Sequence, residues 1–308
     1  MQSEKTPIIE NTFKTEKEKA TKIVFVINPV SGTQRKENIV TLIHQTLKLS
    51  GIQYDIVYTN FAGHATELTK QAIERNYDAV VAVGGDGTIN EIAQALIKTK
   101  TALAIIPQGS GNGLARHLGI PLDTKEAIKR LLEPTKMLID AATANGNPFF
   151  CTSGIGFDAH VSASFAARNF RGLFGYAYFT IKELFSYKSI IYTLEFDGQQ
   201  LEREAFLIAF ANATQYGNNA YIAPQADIQD GKLDICIVKS FPKIQFFQLA
   251  WQVFNKTLPQ NKYVETYKTD KVKIIFNKAI PAHIDGESKG LGTNIEYKSI
   301  SKALTVWI

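Results

Sequence analysis

The chain has 308 residues, 45% of them hydrophobic, and a formal net charge of +5. A chain of this length and composition can bury a sizeable core and is expected to form two domains. Its basic residues are scattered and form no arm or stripe, so nucleic-acid binding gains no specific support. No run reaches the roughly 18 apolar residues that cross a bilayer, so no integral membrane segment is predicted.

Residues 1–21 are rich in Lys, Glu and Thr and lack the apolar core of a signal peptide, so they are predicted to be a disordered lead. Cys151 and Cys236 each lie in an apolar run without metal-ligand spacing. This pattern indicates neither a disulfide framework nor a thiolate zinc site, and a reducing, cytoplasmic setting fits it best. The positive net charge is compatible with an anionic partner such as a nucleotide or an acidic membrane surface.

Residues 22–136 alternate apolar runs (IVFVIN, YDIVYT, AVVAVGG, ALAIIP) with helical patterns. One such pattern places Ile39, Ile43 and Leu47 at helical spacing before Gly51. Alternating strands and helices predict a doubly wound α/β domain, which binds ligands at the carboxyl ends of its strands. Those predicted ends carry NPVSG, YTN, GGDG and PQGSGNG.

The segment DAVVAVGGDGTINEIAQAL (residues 78–96) has the pattern of a phosphate site. Its apolar run predicts a strand buried on both faces, and its three glycines permit close backbone approach to a ligand. Thr88 to Glu91 match the Ser/Thr-x-x-Glu capping box, which predicts a helix whose amide end attracts anions. Because a lone carboxylate would repel phosphate, Asp86 is expected to act through a divalent cation. The alternative is a tight strand-to-helix turn.

Two further glycine-rich segments receive different interpretations. PQGSGNGLARHLGIP (residues 107–121) has GxGxG spacing, which by itself favours a sharp turn as much as a ligand loop, but its position beside GGDGT favours the ligand loop. GIGFDA (residues 154–159) satisfies GxGxxA, yet it does not lie in the first strand-helix turn of a βαβ unit, so a dinucleotide site is rejected there. No GxxxxGK[ST] motif is present.

Residues 137–308 read as an all-β domain, an antiparallel sandwich or barrel, because strand-like runs follow one another with Asp-Gly turns between them. These runs are Phe149 to Phe157, Ser189 to Phe196, Glu204 to Ala213, Leu233 to Val238, Val272 to Phe276 and Ala303 to Ile308. Two helical segments interrupt the series, at about Phe165 to Lys188 and Pro242 to Thr257. The first mixes aromatic and basic residues, which is typical of membrane contact but also of a helix packed on a sheet.

Two acidic motifs of this half have open interpretations. DIQDGKLDI (residues 227–235) could hold a hard cation through oxygen ligands, or could be an ordinary hairpin. In HIDGES (residues 283–288), Asp285 and Glu287 would lie on one side of a strand if the chain is extended there, and one of them could serve as a general base. An exposed turn with two solvated acids is the alternative, and His283 is expected to be structural.

In this order, NPVSG (28–32), GGDGTINE (84–91), PQGSGNGLA (107–115), IAPQADIQDGKLD (222–234) and IDGE (284–287) resemble the diacylglycerol kinase catalytic-domain family, and within it the soluble bacterial lipid kinases. The resemblance implies an NAD kinase-like N-terminal domain and a C-terminal β-sandwich. It also implies ATP-dependent phosphorylation of a lipid hydroxyl, with Mg²⁺, by a cytoplasmic protein peripheral to the inner face of the membrane. The lipid would lie between the domains, and a homodimer is left open.

The resemblance also assigns roles to residues. Glu287 would deprotonate the lipid hydroxyl, Asp86 would lie near catalytic magnesium, and Asp230, with oxygens near Asp227 and Lys232, would hold a structural magnesium. The residues expected to line the ATP phosphates and nucleoside are Asn28, Pro29, Val30, Ser31, Gly32, Thr59, Gly84, Gly85, Asp86, Gly87, Thr88, Ile89, Asn90 and Ser110.

Two departures from the family pattern bear on the substrate. Ser110 stands where the family usually has Thr, and GSGNGLA is closer to the sphingoid-base kinase version of the motif. Asn218-Asn219 replaces the family's Gly-Gly. The alternatives are an NAD kinase-like enzyme that phosphorylates a soluble acceptor and a nucleotide-binding regulator without turnover.

Overall fold

The structure, a computed structural model, describes residues 21–32, 36–166, 173–277 and 280–308, with only the backbone given at 165, 166 and 173–179. Apart from residue 21, the predicted disordered lead lies outside the described residues. The strands are β1 Lys22–Ile27, β2 Gln53–Tyr58, β3 Ala79–Gly84, β4 Ala102–Pro107, β5 Lys136–Ala144, β6 Asn147–Phe149, β7 Thr152–Gly156, β8 Ile190–Phe196, β9 Gln199–Ala211, β10 Leu233–Lys239, β11 Val264–Thr269, β12 Lys271–Ile275, β13 Ala282–Ile284, β14 Glu287–Lys289 and β15 Asn294–Trp307. The helices are α1 Lys36–Leu47, α2 His64–Glu74, α3 Asp86–Leu96, α4 Gly113–His117, α5 Thr124–Lys129, α6 Phe157–Ala166, α7 Leu173–Ser186 and α8 Phe246–Phe254, with single 3₁₀ turns at Lys243–Gln245 and Leu258–Gln260.

The N-terminal domain is a parallel sheet in the order β2-β1-β3-β4. All six residues of β3 and of β4 are buried, as expected for strands covered on both faces. Along β3, Val80 and Ala82 face the core formed with α2 and α3, whereas Val81 and Val83 face the core formed with α1 and α5. The predicted doubly wound α/β arrangement is confirmed.

The C-terminal domain is a β-sandwich built mainly from antiparallel pairs. One of its buried clusters contains Ile155, Leu194, Ile208, Phe210 and Tyr297 from four strands, and Phe210 stacks on Tyr297 with ring centroids 3.7 Å apart. The predicted combination of an α/β domain with a C-terminal sandwich is therefore confirmed. Strands β5 and β11 were not among the predicted ones.

Strand β15 joins the two domains. Its first part pairs with β12, and most of its length pairs antiparallel with β5. At its end Val306 and Trp307 pair parallel with Leu103 and Ala104 of β4, in the N-terminal sheet. The run Ala303 to Ile308, predicted as part of the C-terminal domain, thus also completes the edge of the first domain.

Helices α6, α7 and α8 lie over the outer face of the sandwich. Phe157 of α6, Leu184 of α7 and Leu249 of α8 share a buried cluster with Phe206 of β9. The two predicted helical segments correspond to these helices, although residues 167–172 lie outside the described part of the chain. Within that described part, no helix is both long and apolar enough to cross a membrane.

Candidate active site

The carboxyl ends of β1 and β3 form the switch point of the parallel sheet. Because β2 lies on one side of β1 and β3 on the other, the connections leaving β1 and β3 diverge and leave a crevice between them. Asn28 follows β1, and its Nδ2 donates to Thr88 Oγ1 at 3.0 Å. Its backbone N also donates to the carbonyl oxygen of Val83 at 3.0 Å. The fold thus brings the NPVSG and GGDGT motifs into contact.

A cleft of about 700 Å³, the N-terminal cleft, opens at this switch point. It is lined by Asn28, Pro29, Val30, Thr59, Asn60, Phe61, Ala62, Ala65, Gly87, Thr88 and Glu91. Six of these lining residues, which follow the ends of β1, β2 and β3 along the chain, belong to the predicted ATP-contacting set. Phe61 was missed by sequence analysis, although an exposed aromatic residue just past a predicted strand end was a usable signal. Its ring stacks on that of His64 with centroids 4.6 Å apart and offers a planar apolar surface to the cleft.

Lys36, at the start of α1, was also missed. It is only 8% exposed, and its Nζ donates to the carbonyl oxygen of Ser31 in the NPVSG loop. Burial lowers the pKa of this amine from its usual value. The contact joins a side chain to a backbone carbonyl five residues earlier, and no sequence pattern pointed to it. Lys36 holds the predicted phosphate loop against the first helix.

The capping box predicted at residues 88–91 is wrong. Helix α3 begins at Asp86, after an extended Gly85 that provides no side-chain cap. The glycines before Thr88 allow the chain to turn and the helix to begin at Asp86. Thr88 therefore lies inside the first helical turn and not at the N-cap position. Glu91 instead caps α2, since its two carboxylate oxygens accept from the amides of Gly63 and Ala65 at 2.9 and 3.1 Å. The first turn of α3 consequently keeps its amide end available for an anion in the N-terminal cleft.

Asp86 is held by the second glycine-rich loop. Its Oδ2 accepts from the backbone N of Asn112 at 2.9 Å, and its Oδ1 accepts from the backbone N of Gly113 at 2.8 Å. Gly113 is the first residue of α4. These two bonds fix the direction of the carboxylate, which sequence reasoning did not foresee because the partners lie 26 and 27 residues along the chain.

The glycine spacing of both loops follows from their close approach. A Cβ on Gly109 would lie 2.8 Å from the Cα of Gly85, and one on Gly111 would lie 2.8 Å from Asp86 Oδ2. Gly32 has φ +66°, and a Cβ there would clash with the carbonyl oxygen of Gln108. The predicted residues Gly32 and Gly85 therefore lie where the loops approach one another, and Gly84 ends β3. Ser31 is partly buried in the first loop, and Ser110 is exposed in the second.

The HIDGES motif forms a two-residue hairpin between β13 and β14. Asp285 has φ 45° and Gly286 φ 85°, the positive values that such a tight turn requires. The Asp285 carboxylate turns inward and accepts 2.9 Å hydrogen bonds from the backbone N of Phe150, Cys151 and Thr152. The proposed placement of Asp285 and Glu287 on one side of an extended strand is thus wrong, and so is a fully solvated pair.

Burial raises the pKa of Asp285 to about 6. The three amide bonds pull this pKa down, and the negative charge of Asp86 adds to the upward shift. The carboxyl group therefore anchors the hairpin, and its pKa depends on the charge of Asp86. We assign it a positioning role.

Glu287 follows this turn and reaches the N-terminal domain. A Cβ built on Gly87 would lie 3.5 Å from Glu287 Oε1, so the carboxylate lies directly beside the GGDGT loop. Its side chain is 60% exposed, and Lys289 Nζ lies 3.7 Å from its Oε2. The fold thus brings the two predicted catalytic residues, 201 positions apart, to the same domain boundary.

A small interdomain cavity lies at this boundary, lined by Asp86, Ile89, Asn90, Leu114, Phe150, Cys151, Tyr216 and Asp285. Asn90 Oδ1 is buried here and has no hydrogen-bond partner among the described residues. Carboxylate and amide oxygens are the donors that Mg²⁺ prefers, so Asp86 and Asn90 fit this ion. Within the described chain no group of three or more His, Cys, Asp or Glu could hold a metal. An ion here would therefore complete its coordination with phosphate oxygens and water.

The loop predicted to hold a structural magnesium contains an ion pair instead. Lys268 Nζ lies 2.8 Å from Asp230 Oδ2 and 3.3 Å from Asp234 Oδ2. The other oxygen of Asp230 accepts from the backbone N of Lys232 at 2.9 Å, and Asp227 Oδ1 accepts from the backbone N of Gln229 at 2.9 Å. In this arrangement the Lys268 ammonium group supplies the positive charge beside Asp230 and Asp234. Magnesium at this loop stays a prediction.

An apolar cavity, open on one side, lies beneath α8 in the C-terminal domain. It is lined mostly by aliphatic and aromatic side chains, among them Phe157, Val161, Phe206, Leu207, Ile222, Phe241, Phe246, Leu249 and Val253. Its polar members are Asp158, Thr180 and Tyr216. Asp158 Oδ2 accepts from Tyr216 OH at 2.9 Å and lies 3.0 Å from Nε2 of the buried His283. Tyr216 also lines the interdomain cavity, so this one side chain borders both spaces.

Comparison with known proteins agrees with this geometry. The family model described as the diacylglycerol kinase catalytic domain matches residues 22–144, and the one described as the YegS C-terminal NAD kinase beta sandwich-like domain matches residues 152–307. The chain belongs to the diacylglycerol kinase catalytic-domain family, with the YegS-type C-terminal sandwich.

Individual relatives resemble the chain over most of its length. The diacylglycerol kinase of Bacillus subtilis is 27% identical over 271 residues, covering 86% of this chain and 89% of that protein. A Chromohalobacter salexigens protein named "Probable lipid kinase YegS-like" is 33% identical over 233 residues, covering 73% and 74%. A crystal structure of a diacylglycerol kinase from Bacillus anthracis has the same fold, with a TM-score of 0.75 at 24% identity and coverage of 94% and 97%.

Proposed function

We propose that this protein is an ATP-dependent lipid kinase that transfers the γ-phosphoryl group to the hydroxyl of an amphiphilic acceptor. The observation that carries the proposal is the position of Glu287, whose carboxylate lies beside Gly87 of the phosphate loop. A base at this place is within reach of an acceptor hydroxyl that approaches phosphates in the N-terminal cleft. The names of the relatives support the same reaction class.

The reaction follows from this arrangement. The acceptor oxygen forms a bond to the γ-phosphorus while its proton passes to the Glu287 carboxylate, and the bond from the γ-phosphorus to the β,γ-bridging oxygen breaks to release ADP. The uncapped first turn of α3 favours the negative charge of the phosphates. Mg²⁺, held by Asp86 with Asn90, would neutralise part of the phosphate charge. Asp285 keeps the hairpin and therefore Glu287 in register.

The apolar cavity supports a lipid acceptor over a soluble one. Its lining is almost wholly apolar, so it suits a hydrocarbon chain. Because Tyr216 borders both this cavity and the interdomain cavity, a molecule with its tail in the first has its head near Asp86. A soluble ribose hydroxyl, the acceptor of an NAD kinase, would leave the apolar space unused. The acceptor resides in a membrane, so we infer a peripheral protein acting at the inner face.

The test is transfer of labelled γ-phosphate from MgATP to detergent-dispersed diacylglycerol, monoacylglycerol, sphingoid bases, phosphatidylglycerol and undecaprenol, with NAD as a soluble control. Labelling of one lipid class is expected. Labelling of NAD alone would assign an NAD kinase-like enzyme. Saturable ATP binding without transfer to any acceptor would assign a nucleotide-binding regulator.

Glu287→Gln tests the base directly. The variant is expected to bind ATP normally but to turn over on the order of 100- to 10,000-fold more slowly. Glu296→Gln is the matched control, because Glu296 is an exposed carboxylate of β15 that pairs with Lys271 at 2.6 Å and lines neither the N-terminal cleft nor the interdomain cavity. Near-normal turnover of Glu287→Gln would remove the base assignment.

A further inference from the structure

The outer face of α8 is apolar although it is exposed. Ile244, Phe247, Trp251 and Phe254 are 75%, 57%, 62% and 58% exposed, respectively. They recur three and four residues apart, from the 3₁₀ turn at 243–245 through α8, so they form one stripe along this segment. The opposite face of the helix is apolar as well, since Leu249 is buried and Val253 packs below it. Such a helix normally has apolar material on both sides.

Helix α7 carries further exposed apolar residues. Ile181 and Phe185 are 47% and 68% exposed on its last turns. The two helices are tied together where α7 ends and α8 begins, because Lys243 Nζ donates to the carbonyl oxygen of Tyr187 at 2.8 Å. We call these six exposed side chains of α7 and the α8 segment the apolar face. A contiguous exposed apolar surface marks an interaction site more often than single exposed residues do.

The charge along the α8 part of the apolar face has one sign. Residues 240–262 contain Lys243, Lys256 and Lys262 and no Asp or Glu. Lys256 and Lys262 are exposed near the carboxyl end of α8. Aromatic side chains flanked by lysines are the composition of a segment that lies in the interface of an anionic bilayer. A second copy of the chain would bring the same positive charges to a two-fold contact, so charge complementarity favours the bilayer.

The apolar face also continues into the apolar cavity. Phe254 belongs to both, while Ala250 and Val253 of α8 and Thr180 of α7 line the cavity. A bilayer seated on this face would therefore lie next to the space in which we place the acceptor's hydrocarbon chain. Transfer of the acceptor would then not require its chain to cross water.

We propose that the apolar face of α7 and α8 is a docking surface for an anionic lipid bilayer. The role of this docking rests on the proposed function, because it would bring the kinase to its lipid acceptor. Binding of the apolar face to a bilayer can be measured without any phosphoryl transfer. Docking buries Phe247 and Trp251 at the level of the lipid head groups, and the flanking lysines contact anionic lipid. Raising the salt concentration weakens the second contribution and leaves the first.

The experiment measures binding of the full chain, without ATP, to sucrose-loaded vesicles of phosphatidylglycerol and phosphatidylcholine and to vesicles of phosphatidylcholine alone. Trp251 is a built-in reporter, since the only other tryptophan, Trp307, is 6% exposed. Binding to the anionic vesicles is expected to shift the tryptophan emission to shorter wavelength. Ile244→Gln/Phe247→Gln should weaken this binding about tenfold or more. Neither residue lines the apolar cavity.

Leu49→Gln/Leu132→Gln is the matched control, because these leucines are 94% and 41% exposed in the N-terminal domain. It should bind vesicles as the wild type does. Absence of wild-type binding, or equal binding of the wild type and the Ile244/Phe247 variant, would overturn the proposal. A wild-type dimer in sedimentation that this variant converts to a monomer would assign the face to a second copy instead.

The transfer assay with detergent-dispersed acceptor separates this inference from the proposed function. A protein that phosphorylates dispersed lipid but does not bind vesicles through the apolar face keeps the function and loses the inference. A protein that binds vesicles through this face but transfers no phosphate to dispersed lipid keeps the docking inference and loses the proposed function.

Discussion

Replacing Asp285 with asparagine should change how the stability of this protein depends on pH. Burial raises the pKa of Asp285 to about 6, against a value of 3.8 for the free side chain. The native state therefore holds this proton more tightly than the unfolded state does. Between these two pKa values the unfolded state gives up its proton first, so the free energy of unfolding falls as the pH rises.

The magnitude follows from the size of the shift. About two pKa units, at about 1.4 kcal/mol per unit, correspond to at most about 3 kcal/mol. This contribution is fully present below about pH 4 and is lost as the pH rises through about 6. Asparagine does not titrate, so the difference in unfolding free energy between the wild type and Asp285→Asn should fall by up to that amount from pH 4 to pH 7.

The assay is urea unfolding of both proteins at several pH values between 4 and 7. A second variant, Asp86→Asn, should move the fall to lower pH, because the charge of Asp86 contributes to the raised pKa. A wild-type minus Asp285→Asn difference that stays constant, or that increases with pH, would refute the reasoning. The asparagine variant should also lose activity at every pH, since its NH₂ group faces backbone amides that need an acceptor.

Three further outcomes can be checked independently. Glu91→Ala removes the acceptor at the start of α2 and should lower the free energy of unfolding by about 1 to 2 kcal/mol in urea titrations; an unchanged midpoint would contradict the capping role. Gly109→Ala places a Cβ 2.8 Å from the Cα of Gly85, so calorimetry should detect at least about tenfold weaker ATP binding. Normal ATP affinity would show that the two loops can move apart at little cost in free energy. Lys268→Met leaves Asp234, which is only 5% exposed, without its cation, so the melting temperature should fall and added Mg²⁺ should partly restore it; insensitivity to Mg²⁺ would argue against any metal role for this loop.

The N-terminal domain was largely predictable because its signals are local. Each strand is a short apolar run, each helix has its own periodicity, and Ile39, Ile43 and Leu47 are buried as their spacing predicts. The rule that ligands bind at the carboxyl ends of strands placed NPVSG beside GGDGT before any contact was known. Here the sequence contained both the fold and the location of the site.

The contacts that define the site were not predictable in the same way, because they join distant parts of the chain. The amides that hold Asp86, the three amides that hold Asp285 and the approach of Glu287 to Gly87 all depend on tertiary packing. Glu91 matched a local capping pattern, yet the glycines before it allowed an earlier helix start and freed its carboxylate for α2. A local rule failed because a neighbouring helix offered better donors.

The path of β15 has a consequence for how the protein unfolds. This strand hydrogen-bonds to β5 and β12 and also to β4 of the N-terminal sheet. Its loss would leave an open sheet edge in the N-terminal domain and remove a strand from the sandwich at the same time. The two halves are therefore expected to melt in one cooperative transition, with no stage at which one remains folded alone. Damage to the sandwich would thus also destabilise the N-terminal cleft, even where every residue of the cleft is intact.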